Sequence, residues 1–161
     1  MVPHTRIWCC LMHTFYDSGL QFSCTQCGYC CSHEPGYVFL SEKDIKGLTE
    51  LFSMPRATFI ETFCISVDFG SFSMISLRET KEHDCIFLEG TRCRAYAARP
   101  LQCRSYPFWP TVVESAAAWQ DEGTRCPGIG TGDTHSKNEI EQWLYLHKRE
   151  RPLQINHGKD S

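Results

Sequence analysis

The chain has 161 residues, of which 42% are hydrophobic and 22% charged, and a net charge of −3. That is the length of one domain and the composition of a globular protein able to bury a core. Acids and bases are mixed along it, so no basic face for nucleic acid and no polybasic membrane anchor is expected, and no apolar run approaches the roughly 20 residues of a membrane-spanning helix.

At the N-terminus, Ile7-Trp8-Cys9-Cys10-Leu11-Met12 is apolar but shorter than the roughly 7–15-residue core of a secretion signal, and no small-residue cleavage site follows it. A cytoplasmic protein is therefore expected. Residues 1–14 are read as an N-terminal extension, and Met12 offers an alternative start that would make residues 1–11 dispensable. Residues 15–150 are read as a single domain, and residues 151–161 as a polar, frayed tail.

The first chemical signal is Cys24, Cys27, Cys30 and Cys31, which spell CxxCxxCC. A thiol at every third residue lets one loop present several soft ligands to one centre, favouring zinc, copper(I), iron or an iron–sulfur cluster. Neighbouring side chains diverge from the backbone, so the Cys30-Cys31 doublet is expected to serve two metals or one multi-metal cluster.

Residues 36–40 read as a short strand. Ser41 is the expected N-cap of a helix over residues 42–52, with Asp44 as an imperfect capping-box partner and Ile45, Leu48, Leu51 and Phe52 at helical spacing. Ser53-Met54-Pro55 breaks that helix. Pro55 suits the first turn of a second one, running to about residue 63 and burying Phe59, Ile60 and Phe63. One or two strands are predicted around Gly70 within residues 65–78. Cys85-Ile86-Phe87-Leu88, a Gly90-containing loop and Arg92-Cys93-Arg94 predict a hairpin that brings Cys85 and Cys93 near one another.

Three prolines (Pro100, Pro107, Pro110) make residues 99–110 extended or turn-like, with Cys103 among them. Residues 116–119 read equally as strand or helix. Cys126-Pro127-Gly128-Ile129-Gly130 is a turn. Ser136 and Glu139 form a capping box for a helix over residues 137–149, with Ile140, Trp143, Leu144 and His147 as its buried stripe. The expected class is α+β: short strands, about three helices, and loops tied together by cysteine-ligated metal.

Eleven cysteines in 161 residues also fit a disulfide scaffold. The odd count, the absence of a secretion signal and the reducing cytosol favour metal ligation instead. There is no Gly-rich phosphate loop, GxSxG or HExxH. The CxxCxxC run matches the start of a bacterial ferredoxin motif, but its fourth cysteine is adjacent rather than three residues on.

The segments Phe22-Ser23-Cys24-Thr25-Gln26-Cys27-Gly28-Tyr29-Cys30-Cys31, Cys85-Ile86-Phe87-Leu88, Cys93 through Arg99-Pro100 to Cys103-Arg104 and Tyr106-Pro107, and Cys126-Pro127-Gly128-Ile129 together resemble the YkgJ-like CxxCxxCC cysteine-cluster family, described as a zinc- or iron-chelating domain. The resemblance spans about residues 15–147. It implies bound iron or zinc, as more than one ion or as an iron–sulfur cluster, held by Cys24, Cys27, Cys30, Cys31, Cys85, Cys93, Cys103 and Cys126. Cys9, Cys10 and Cys64 have no counterpart: the first two fall in the extension, and Cys64 reads as a small core residue.

Around those ligands, Arg99 and Arg104 are expected to offset thiolate charge and donate to sulfur. Tyr96 and Tyr106 either pack over the site or serve as ordinary core. His33 and His83 flank ligand cysteines and are candidates for opening a coordination position, as catalysis requires. Read in full, the sequence points to an iron- or zinc-binding protein, leaning to an iron-dependent oxidoreductase that acts on a protein partner. A structural zinc module and a metal carrier are the alternatives.

Overall fold

A computed structural model describes residues 13–32 and 34–157. The expected α+β class holds: five helices and short antiparallel strands form one domain around two apolar clusters.

The first cluster is built by α1 (Glu42–Leu51), α2 (Arg56–Phe63) and the hairpin β2 (Cys64–Asp68) and β3 (Phe72–Leu77). α1 starts as the sequence dictates, and its capping box is complete. Ser41 Oγ accepts from Asp44 N, and the Asp44 carboxylate accepts from Ser41 N at 2.9 Å. Ile45 and Leu48 are buried, whereas Leu51, expected on the same stripe, is 40% exposed. Phe52 caps the helix and stacks on Phe87 at 5.0 Å, so the stripe ends there. α2 begins just after Pro55 and buries Phe59 fully, with Ile60 and Phe63 half-buried. It passes without a turn into β2 at Cys64, which is buried, as a small core residue should be.

β2 and β3 pair from Cys64↔Leu77 to Asp68↔Ser73, turning at Gly70, whose φ of +86° is natural only to glycine. The other edge of β3 is shared. β7 (Gln154–Asn156) covers Phe72–Met74, while residues 38–40 cover the rest through Leu40 N to Ile75 O and Leu77 N to Val38 O. The segment 36–40 is therefore a single bridge, Phe39↔Ser76, rather than the predicted strand. Residues 154–156 are paired rather than frayed, because an open ladder edge offers their backbone partners.

The second cluster joins Phe108, Val112, Val113, Trp119 and Ile140. Here β1 (Leu20–Phe22) pairs with β6 (Ile129–His135) across a bulge, a ribbon absent from the sequence expectation. The undecided residues 116–119 lie in α4 (Ala116–Gly123), capped by Ser115 Oγ accepting from Ala118 N. α5 (Lys137–Arg149) has the predicted capping box and buries Ile140, with Trp143, Leu144 and His147 half-buried.

Between the clusters lie the hairpin β4 (Leu88–Glu89) and β5 (Arg92–Cys93) and a short helix α3 (Leu101–Arg104). The extended reading of residues 99–110 is corrected at α3. Pro100 disfavours helix only in the residue before it, and its own fixed φ of −52° starts one. No helix among the described residues is long and apolar enough to cross a membrane.

Candidate metal centre

The CxxCxxCC loop runs from the end of β1 to a 3-10 turn at Tyr29–Cys31. Gln26 (φ +55°) and Gly28 (φ +79°) flank Cys27 in left-handed conformations. These reversals curl the loop so that all four of its cysteines line one cavity. A Cβ on Gly28 would lie 3.2 Å from Thr91 Cα and O, so the loop rests directly on the β4–β5 turn. Cys85 N donates to Cys31 O at 2.7 Å, tying the start of the hairpin segment to the end of the loop. Cys93 stands in β5 opposite Leu88, and Cys103 in α3. Ser23 N donates to Gly128 O at 3.2 Å, which sets the chain at Cys126 beside the chain at Cys24.

All eight cysteines of the motif line one cavity of about 70 Å³, together with Tyr96, Arg99 and Tyr106. The nine described cysteines are all free thiols; Cys9 and Cys10 lie outside the described residues. Cys24, Cys27 and Cys30 are exposed, Cys31, Cys85, Cys93 and Cys103 half-buried, and Cys126 buried. Among the described residues no group of three or more His, Cys, Asp or Glu side chains is drawn together tightly enough to hold an ion. The cysteines line the cavity rather than meet at one point in it. Burial pushes the thiols of Cys85 (to about 11), Cys93, Cys103 and Cys126 upward.

Does this donor set suit a metal? Eight soft sulfur donors around a small cavity suit zinc or iron. The doublet supplies a geometric test. Cys30 Sγ and Cys31 Sγ are 3.9 Å apart, close to the edge of about 3.8 Å that a tetrahedron with metal–sulfur bonds of about 2.3 Å would have. The expectation that neighbouring cysteines diverge does not hold here, since the two sulfurs are in contact. Their contact also favours a thiolate on Cys30, whose pKa falls to about 7, while the proton stays on Cys31.

Arg99 lies with its guanidinium 3.8 Å from the Tyr96 ring centroid and donates from Nε to Tyr96 O. Its charge favours the thiolate forms of Cys30, Cys93 and Cys103. Arg104, expected to act likewise, meets Glu150 at 3.5 Å instead and does not line the cavity. Tyr106 does line it, and its hydroxyl donates to Glu122 Oε1 at 2.6 Å.

A second, larger groove of about 300 Å³ adjoins the cavity and shares Cys30, Cys31, Cys85, Cys103 and Tyr106 as wall. Its other walls include Glu34, Glu79, His83, Glu122 and Arg125. His83, exposed and at φ +65°, has Nδ1 3.9 Å from Glu79 Oε2. His33 lies outside the described residues. Glu79, Glu122 and Arg125 were not singled out from the sequence. Glu79 reaches the groove from one segment and Glu122 and Arg125 from the end of α4.

A family model described as "Putative zinc- or iron-chelating domain" and named CxxCxxCC matches residues 23–128, the stretch that contributes every cysteine of the cavity. Among curated proteins, the uncharacterized protein MJ0661 of Methanocaldococcus jannaschii is 30% identical over 95 residues, covering 58% of this chain and 48% of that protein. The chain thus spans about half of that relative's length. No solved structure matches the chain.

Proposed function

Since the chain belongs to the CxxCxxCC family, we propose that it is a cytoplasmic metalloprotein whose eight motif cysteines bind iron or zinc. The observation that carries this reading is the convergence on one cavity of eight thiols from four separate stretches of chain. Arg99 would offset part of the negative charge of a thiolate-bound ion and hold the cavity wall through Tyr96.

Within that reading we favour an iron-dependent oxidoreductase acting on a protein partner. Bound iron would supply one-electron chemistry. The groove supports this choice, because it gives a molecule outside access to four of the cysteines alongside His83, Glu79 and Tyr106. A module that only holds loops in place needs no such access. In this reading His33 and His83 are the candidates for proton exchange with a bound partner.

Purification without oxygen, followed by elemental analysis and a visible spectrum, tests both levels. The account expects metal in stoichiometric amount, and a coloured protein if iron is bound. Stoichiometric zinc in a colourless protein would leave metal binding intact and remove the redox reading. Metal-free protein would remove both.

A further inference from the structure

The eight cysteines do not face the same surroundings. Cys30, Cys31, Cys85 and Cys103 line both the groove and the inner cavity, whereas Cys24, Cys27, Cys93 and Cys126 line the inner cavity alone. We propose that these two groups of four are two separate metal sites, one at the groove and one beside it. The proposal rests on the metal-binding reading and adds the pairing of ligands to it.

Two contacts tie three members of the groove set together. The Cys30 and Cys31 sulfurs already stand about one tetrahedral edge apart. The hydrogen bond from Cys85 N to Cys31 O fixes the third member beside them. Cys103, in α3, completes the set on the groove wall.

Backbone packing ties the other set. Gly128 is pressed against the carbonyl oxygen of Ser23, so close that an added Cβ would collide with it, and Ser23 N donates to Gly128 O. Cys24 and Cys126 are therefore held on adjacent strands of chain. Gly28 rests on Thr91, which sets Cys27 next to the turn that carries Cys93. Cys93 lines the inner cavity but not the groove. Its absence from the groove wall assigns it to the inner set.

A division by sequence order would put Cys24, Cys27, Cys30 and Cys31 on one ion. The geometry interleaves them instead. Each site takes two cysteines from the CxxCxxCC loop and two from the distant segments, so each ion would cross-link the loop to the rest of the fold.

The test is metal content per chain in paired variants, with circular dichroism to confirm folding. The wild type should hold two ions. Cys31→Ser with Cys103→Ser should leave one, and so should Cys24→Ser with Cys126→Ser. Cys103→Ser with Cys126→Ser, one from each set, should leave none. A wild type with a single ion, a same-set pair that loses both ions, or a cross-set pair that keeps one would overturn the division while metal binding stood. A metal-free wild type would overturn the metal-binding reading itself. If the variants fail to fold, wild-type protein stripped by EDTA to one ion per chain and alkylated with N-ethylmaleimide answers the same question. Its labelled cysteines should fall in one set or the other as a block of four, and labels mixed across the sets would refute the pairing.

Discussion

Gly28 and Gly128 are the residues on which the site's geometry turns, although neither can ligate anything. Gly28 combines a left-handed backbone with contact at 3.2 Å to Thr91, so Gly28→Ala adds strain and overlap together. It should destabilise the fold by about 1–3 kcal/mol, read as a lower urea midpoint, with metal content falling in parallel. An unchanged midpoint would mean that the loop does not rest on the hairpin. His147 makes a different kind of prediction. Its Nε2 is 2.7 Å from Ser105 Oγ, and burial holds its pKa below the ordinary 6.5 although Asp44 and Glu150 line the same surface cavity. The folded chain therefore binds fewer protons at this position than the unfolded chain. The stability it contributes is present in full above about pH 6.5 and is lost as pH falls through the lowered folded value. Comparing wild type with His147→Gln from about pH 7.5 to about pH 5, the wild type should lose more stability on acidification. Equal losses would show that His147 is not held neutral.

At the scale of elements, Asp44 is the clearest strut. Its carboxylate accepts from Ser41 N and Ser41 Oγ at the start of α1 and from Leu101 N at the start of α3. Asp44→Ala removes a cap and leaves the buried N–H of Leu101 without its partner, a combined loss of about 2–4 kcal/mol. Ser136→Ala at the exposed capping box of α5 should cost only about 1 kcal/mol. Chemical denaturation of the two variants separates them; equal costs would deny Asp44 its bridging role. α1 and α5 were legible in the sequence because a cap and a 3.6-residue stripe are local signals. The β1–β6 ribbon was not, since Gly130, Gly132 and Asp133 have little strand propensity and β1 lies more than a hundred positions away. β7 was hidden for the same reason: its residues are exposed, and only the open half of β3 makes them a strand. α3 was masked by Pro100, which reads as a breaker until its place at the helix start is known.

Across the whole molecule, the cysteine cavity sits where the two apolar clusters meet. Cys85 and Cys93 pack against the first cluster, and Phe22 and Ile129, neighbours of Cys24 and Cys126, against the second. Metal bound there would link the two halves as well as fill the site, so chelation should lower the melting temperature by roughly 10 °C, the size expected for a ligand held far above its dissociation constant. A melting temperature indifferent to chelation would mean that the clusters hold together unaided. The cysteines themselves were legible because residue type and spacing announce soft-metal chemistry. The groove beside them was not, because Glu79, Glu122 and Arg125 converge only once the chain has folded. X-ray absorption at the metal edge of protein as purified tests the central claim most directly. Ligation by these thiolates predicts a first shell dominated by sulfur at roughly 2.3 Å; a shell of oxygen and nitrogen, or no metal edge at all, would contradict it.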